Sequence, residues 1–239
     1  KTEAGTNNTT GTTFTQLIID ITGTETTSFE LFAGATQDLE ISANHNGEDK
    51  TAEVVYVVEG DAVTVENGII TAVKGGQATV TASFMGKTLT YTVTVYTKLI
   101  ETEADWWSIY ESEATLAGWY RLAGDLTLTK SSADYVDGAY NNSETFTGKI
   151  DGAGHTLTYK DNRLFCWMNG ATIENINLVA DNGFYWGSGL AFAIQGGSVI
   201  RNVTADFTFV QPGATYVNPV VGWITVNHIG AVCIYLTDA

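Results

Sequence analysis

Asp151 and His155 bracket two glycines in the string Asp151-Gly152-Ala153-Gly154-His155. A carboxylate held close to an imidazole can work as an acid/base pair. Proton abstraction beside a sugar carboxylate would instead need a basic side chain, with clustered acids to hold Ca²⁺. Arg201 is the strongest candidate for that role, because Glu174 stands 27 residues before it at the same point of an internal repeat. An ion pair between neighbouring strands explains the spacing equally well. A hydrolase would need grouped aspartates, and Asp151, Asp161, Asp181 and Asp206 do not recur in one column of that repeat. The remaining candidate is Phe184-Tyr185-Trp186, between Gly183 and Gly187. Side chains along a strand alternate between faces, so three consecutive aromatics cannot all enter one core. At least one ring should project, able to stack on a sugar face or anchor a protein partner; the opposing reading has the loop fold back and pack its rings on the coil below. No catalytic residue is assigned, and the candidate ligand-binding residues are Tyr185, Trp186 and Phe184.

Metal and thiol chemistry have less to offer. His45, His155 and His228 are too scattered for a zinc site, and no Cys/His cluster has ligand spacing. Asn46-Gly47-Glu48-Asp49 is an acidic turn that could hold a weak Ca²⁺, with a solvated loop as the preferred reading. Cys166 and Cys233 are the only cysteines, both on apolar strands. They are more than two coils apart in a stack spaced by about 4.8 Å, beyond disulfide reach, so two buried thiols are expected. No cofactor and no metal are expected. The sequons at Asn8, Asn141 and Asn202 would matter only in a eukaryotic secretory pathway.

The elements that must position these residues divide into a tether and two textures. Residues 1–13 are small, polar and rich in Thr, Asn and Gly, which suits a flexible tether. Over 14–97 the chain runs in short period-2 segments: Leu17–Ile21, Phe29–Phe32, Leu39–Ala43, Val54–Val58, Val63–Val65, Ile69–Val73, Ala78–Phe84 and Leu89–Tyr96. These read as strands of an antiparallel sandwich, with hairpin turns at Asn67-Gly68 and Met85-Gly86-Lys87. Leu89, Tyr91, Val93 and Val95 should face the core and the intervening threonines water. Residues 98–104 read as a charged linker. Thr102-x-x-Asp105 is a capping-box pattern, and Trp107, Tyr110 and Ala114 fall on one face of a helix near 103–117. A helix that short needs an apolar surface to lie on.

Residues 105–239 repeat. Phe165-Cys166-Trp167-Met168-Asn169-Gly170-Ala171-Thr172-Ile173-Glu174-Asn175-Ile176 aligns with the twelve residues from Phe192 to Val203 at a constant offset of 27. A fixed offset implies stacked units, each a strand, a Gly turn, a second strand and an Asn. This is one coil of a parallel β-helix, with Tyr120–Leu128 and Phe146–Leu157 as less regular earlier coils and Val220–Leu236 as a degenerate last one. Asn175 and Asn202 should form an amide ladder along the stack. The helix near 103–117 then caps the first coil, burying Trp and Tyr. The expected fold class is all-β: an antiparallel β-sandwich followed by a short parallel β-helix with an N-terminal capping helix, to which the resemblances given below add that the sandwich is Ig-like and the β-helix right-handed.

Composition narrows the partners. The 239 residues carry a formal charge of −16, with 5 basic and 12 acidic groups in residues 1–100 and 6 and 15 in the remainder. Nucleic acid and anionic membrane would be repelled by both halves. No apolar run approaches a membrane span. The chain starts at Lys1 without Met, so a signal or anchor is expected outside it, and the native polypeptide is expected to continue beyond Ala239.

Two resemblances follow from residues already quoted. Asn67-Gly68, Ile69-Ile70-Thr71-Ala72-Val73, Lys74-Gly75-Gly76 and Ala78-Thr79-Val80-Thr81-Ala82, preceded by Phe29-Glu30-Leu31, Gly34 and Leu39, resemble the bacterial Ig-like group 2 domain over about 15–97. The usual Trp-Ser-Ser element of its third strand is replaced by Val55-Tyr56-Val57, so Tyr56 or a flanking valine should fill that part of the core. Tyr120-Arg121-Leu122-Ala123-Gly124-Asp125-Leu126, Phe146 to Leu157, and Gly170 to Leu178 resemble the pectate-lyase-like right-handed β-helix of bacterial surface proteins, including those with GLUG-type repeats. In such repeats the Asp-Gly-x-Gly-His string is a turn at a coil corner, which makes Asp151 and His155 structural. The resemblances imply a bacterial cell-surface or secreted protein. The expectation is a non-enzymatic monomer, with an Ig-like spacer and a β-helix that adheres to glycans or to host or cell-surface proteins. The alternatives are a carbohydrate-active lyase or glycoside hydrolase on an acidic polysaccharide, and a purely structural stalk.

Overall fold

The computed structural model describes residues 17–130, 145–160, 164–180, 190–207, 215–218, 222–225 and 233–236. The tether and Phe184-Tyr185-Trp186 lie outside these residues. The protein is predominantly β.

The first half comprises β1 (Ile19–Thr22), β2 (Ser28–Phe32), β3 (Thr36–Asp38), β4 (Ser42–His45), β5 (Glu48–Asp49), β6 (Val55–Glu59), β7 (Val63–Glu66), β8 (Ile69–Ala72), β9 (Gly76–Phe84) and β10 (Lys87–Tyr96). A four-stranded sheet, β2-β10-β9-β6, is faced by two smaller sheets, β1-β4-β5 and β3-β8-β7. Leu39, Val63 and Ile70 share a core with Val80, Tyr91, Val93 and Val95, while Ile21 and Ala43 pack with Ala82 and Phe84. The expected antiparallel arrangement holds except for β2, which runs parallel to β10 with Phe29 opposite Val93. The segment 39–43 is not one strand, because Glu40 takes φ +53 between β3 and β4 and breaks the pairing. Tyr56 packs on the second core, while Val55 and Val57 face outward.

Asn67-Gly68 and Met85-Gly86 do turn two hairpins, and both residues of each pair, not glycine alone, have positive φ: 50° and 81° in the first, 46° and 84° in the second. Two-residue turns of this kind match strand twist. Lys87 is therefore the first residue of β10 rather than part of the turn. The acidic Asn46-Gly47-Glu48-Asp49 stretch is a third such hairpin, joining β4 to β5.

The second half begins without a spacer. Lys98–Ile100, within the stretch read as a linker, forms β11 and pairs in parallel with β12 (Trp119–Leu122). Between them the chain makes α1 (Glu103–Trp107), a 3₁₀ turn (Ser108–Tyr110) and α2 (Glu113–Leu116). The Thr102/Asp105 capping box is present. The single helix expected over 103–117 is not: Ser112 opens α2 with a second capping box, which ends the first run. The buried face is accordingly Trp106, Trp107, Ile109 and Leu116, with Ala114 exposed.

Beyond lie β13 (Leu126–Thr127), β14 (Thr145–Phe146), β15 (Lys149–Asp151), β16 (Thr156–Tyr159), β17 (Phe165–Asn169), β18 (Thr172–Ala180), β19 (Ala191–Gln195), β20 (Val199–Phe207), β21 (Thr215–Asn218), β22 (Gly222–Thr225) and β23 (Cys233–Leu236). A curled parallel sheet runs β11-β12-β15-β18-β16-β13, with β20 on β18, and a second parallel sheet runs β14-β17-β19-β23. Their inner faces share one core, in which Phe146 stacks on Phe165 with centroids 4.4 Å apart and Tyr110 stacks on the same ring at 5.8 Å.

The repeat offset is not constant. From β18 to β20 it is 27, with Glu174 opposite Arg201, but in β17 Phe165 lies opposite Ala191 rather than Phe192. The extra residue sits in the turn, where the later unit has two left-handed glycines, Gly196 and Gly197, against the single Gly170. The expected last coil over 220–236 is divided: β22 pairs antiparallel with β21, and only β23 joins the stack.

Candidate functional site

The charged side chains that the sequence singled out converge on a seam where the two halves meet. Parallel register sets Arg121 opposite Asp151, Asp151 opposite Glu174, and Glu174 opposite Arg201. Asp151 and Glu174 are 6% and 3% exposed, the buried charged residues among those described. Neither is unpaired. Glu174 receives Lys149 Nζ at 2.7 Å and the Arg201 guanidinium from the opposite side. The 27-residue spacing of Glu174 and Arg201 is thus an ion pair.

Asp151 is gripped from both halves. Its Oδ1 accepts from the Ala153 N–H at 2.9 Å and the Asn175 amide at 3.1 Å, and its Oδ2 accepts from the Tyr96 hydroxyl at 2.8 Å. Burial alone would push the carboxyl up, but these three donors and nearby Arg121 outweigh it and hold Asp151 below the usual carboxylate range. Tyr96 moves the other way, raised first by burial and then by its bond to the carboxylate.

His155 does not reach Asp151 as an acid/base partner. Its Nδ1 faces Asp125 Oδ1 at 3.5 Å. The string between them is a turn: Ala153 and Gly154 have φ of 52° and 85°, and the His155 N–H donates to the Gly152 carbonyl at 2.8 Å. A Cβ at Gly152 would stand 2.5 Å from the Asn175 carbonyl oxygen, so the turn lies directly on β18. The corner continues as a ladder. The Asn202 amide donates to Asn175 Oδ1 at 3.0 Å, and both asparagines take left-handed angles in mid-strand, bending β18 and β20 rather than ending them. Asp151 is the first rung.

No protein-family model matches the chain. No curated protein matches it either.

Around this column the seam is aromatic and cationic. Lys149 Nζ lies 5.0 Å from the Trp119 ring centroid and 5.7 Å from that of Tyr96, and the Arg121 guanidinium lies 5.5 Å from Tyr96 while pairing with Glu30. Backbone closes it further: the Thr97 N–H donates to the Trp119 carbonyl at 2.6 Å, and the Trp119 N–H to Thr97 Oγ1 at 3.0 Å. Glu30, Tyr96, Arg121 and Lys149 were not singled out by sequence, since their partners lie as many as 91 positions away. One signal was present. Tyr96 falls on the threonine face of β10, and a large aromatic on a face expected to be wet marks a face that is covered.

Among the described residues no group of three or more His, Cys, Asp or Glu could hold a metal ion. No helix there is long and apolar enough to cross a membrane. Cys166 is a buried thiol.

Proposed function

We propose that the chain is a non-enzymatic binding module of a bacterial cell-surface or secreted protein, an Ig-like spacer joined to a right-handed parallel β-helix that α1 and α2 cap. The observation that carries this reading is that the groups best suited to chemistry are engaged in holding the fold. Asp151 accepts three hydrogen bonds, Glu174 lies between two cations, and His155 faces Asp125 instead of Asp151. A general base must be able to take up a proton near its working pH, and a carboxyl held low by internal donors is a poor one. Capping is supported by Trp106 and Tyr110, whose rings meet Phe165 at 6.3 and 5.8 Å, and by the Tyr110 hydroxyl, which donates to the Leu164 carbonyl at 2.6 Å.

The ligand class is a glycan or a host or cell-surface protein, met by the aromatic run Phe184-Tyr185-Trp186. A glycan-array screen of the chain, with and without Ca²⁺ and beside Trp186→Ala, tests this. Binding that disappears in the variant supports a lectin-like surface there. Binding to no glycan favours a protein ligand or a structural stalk, and turnover of an acidic polysaccharide would replace the proposal with the lyase alternative.

A further inference from the structure

Among the described residues β20 pairs on one edge only, with β18. Its outer edge presents a row of backbone donors and acceptors of the kind that recruits another strand. What distinguishes this edge is that the side-chain columns of the stack arrive at it unfinished. Arg201 pairs with Glu174 yet leaves its side chain 63% exposed, with guanidinium donors to spare. Asn202, an exposed residue, donates its amide back to Asn175 and keeps the acceptor capacity of its own Oδ1. Thr204 likewise donates its hydroxyl back to Asn177 and keeps acceptor capacity on the outer side.

We infer that the outer edge of β20 accepts an extended strand from another polypeptide, in parallel register, carrying a carboxylate opposite Arg201, an asparagine opposite Asn202 and an amide or hydroxyl side chain opposite Thr204. Main-chain hydrogen bonds supply affinity in such strand addition, and alternate side chains supply specificity. The cation selects an acid, the Asn202 Oδ1 selects an amide donor, and the Asn ladder fixes the register. The other exposed apolar edge, β6, lacks these features: Val55 and Val57 project between Glu53 and Glu59 with no ladder to set a register. The inference stands apart from the glycan reading, since it uses neither the aromatic run nor a sugar.

The chain contains a sequence of the required pattern, Thr172–Ala180 (TIENINLVA), which already occupies this register one coil below. A fluorescein-labelled peptide of that sequence, and a second with its glutamate replaced by arginine, can be titrated with the full 239-residue chain by fluorescence polarisation. The expected result is saturable binding of the glutamate peptide at least about tenfold tighter than the arginine peptide, with the preference inverted in Arg201→Glu. Asn202→Gly keeps the left-handed backbone while removing the amide, and should weaken both peptides several-fold at an unchanged thermal midpoint. If Arg201→Glu fails to fold, the Asn202→Gly comparison decides. Equal binding of the two peptides, binding of neither, or binding untouched by Asn202→Gly overturns the inference. Concentration-dependent dimerisation abolished by Arg201→Glu would overturn it in favour of a second copy of this chain.

Discussion

The two halves hold their strands together by different means. Up to Tyr96, hairpins close locally at Asn46-Gly47, Asn67-Gly68 and Met85-Gly86, and the cores are aliphatic and aromatic with the charges left outside. From Lys98 onward the strands of the two larger sheets pair in parallel, so each neighbour there is distant in sequence, and side-chain columns run through the stack with two carboxylates buried in them. The first arrangement tolerates the loss of a charge, whereas the second depends on every charge keeping its partner.

The sharpest way to test that contrast is Glu174→Ala, which leaves Lys149, only 13% exposed at its side chain, without its carboxylate. A loss of about 3–5 kcal/mol in urea unfolding is expected. The exposed pair Lys74–Asp61 in the first half is the control; Asp61→Asn should change stability by less than about 1 kcal/mol. A comparable loss at both sites would remove the distinction. Tyr96→Phe comes next. It takes a donor from buried Asp151 while leaving two others, and should cost about 1–2 kcal/mol. Met85→Asn should raise stability by about 1 kcal/mol, because Met85 is held at φ +46 in a turn where asparagine is at ease; a lowered thermal midpoint would contradict this.

The smallest effect expected is one of pH. The Lys98 ammonium, and then the Thr102 donors against the opposing effect of burial, hold Asp105 at about 2 instead of 3.8. A carboxyl with a depressed folded value contributes stability fully above its ordinary value and loses it as pH falls through the folded one. Midpoints measured at about pH 5 and about pH 2.5 should therefore diverge more in the wild type than in Asp105→Asn.

Much of the first half was legible because its determinants are local. Asn67-Gly68 names its own turn, and the alternation of Leu89, Tyr91, Val93 and Val95 names the face of β10. Glu40 escaped because a left-handed glutamate has no signature of its own. In the second half the Asn175/Asn202 ladder and the Glu174/Arg201 pair were readable from the repeat. The register of Phe165 was not, since one added glycine at Gly196-Gly197 lies in a turn where an alignment can absorb it on either side. The broken helix over 103–117 was missed because Ser112 and Thr115 form a capping box without the usual acidic third residue. Tyr96 on the threonine face of β10 shows that the face is covered, but its meeting with Lys149 was beyond reach for a simpler reason: nothing local tells a lysine that a tyrosine from another sheet will cover it.

Only Thr97 separates β10 from β11, and both its amide and its hydroxyl are tied to Trp119. A chain joined in this way has no swivel. Load applied to the first half is borne in parallel by the Thr97 backbone, the Tyr96–Asp151 bond and the Arg121–Glu30 pair, so the two halves should behave under tension as a single beam, sharing strain across the seam before either unravels.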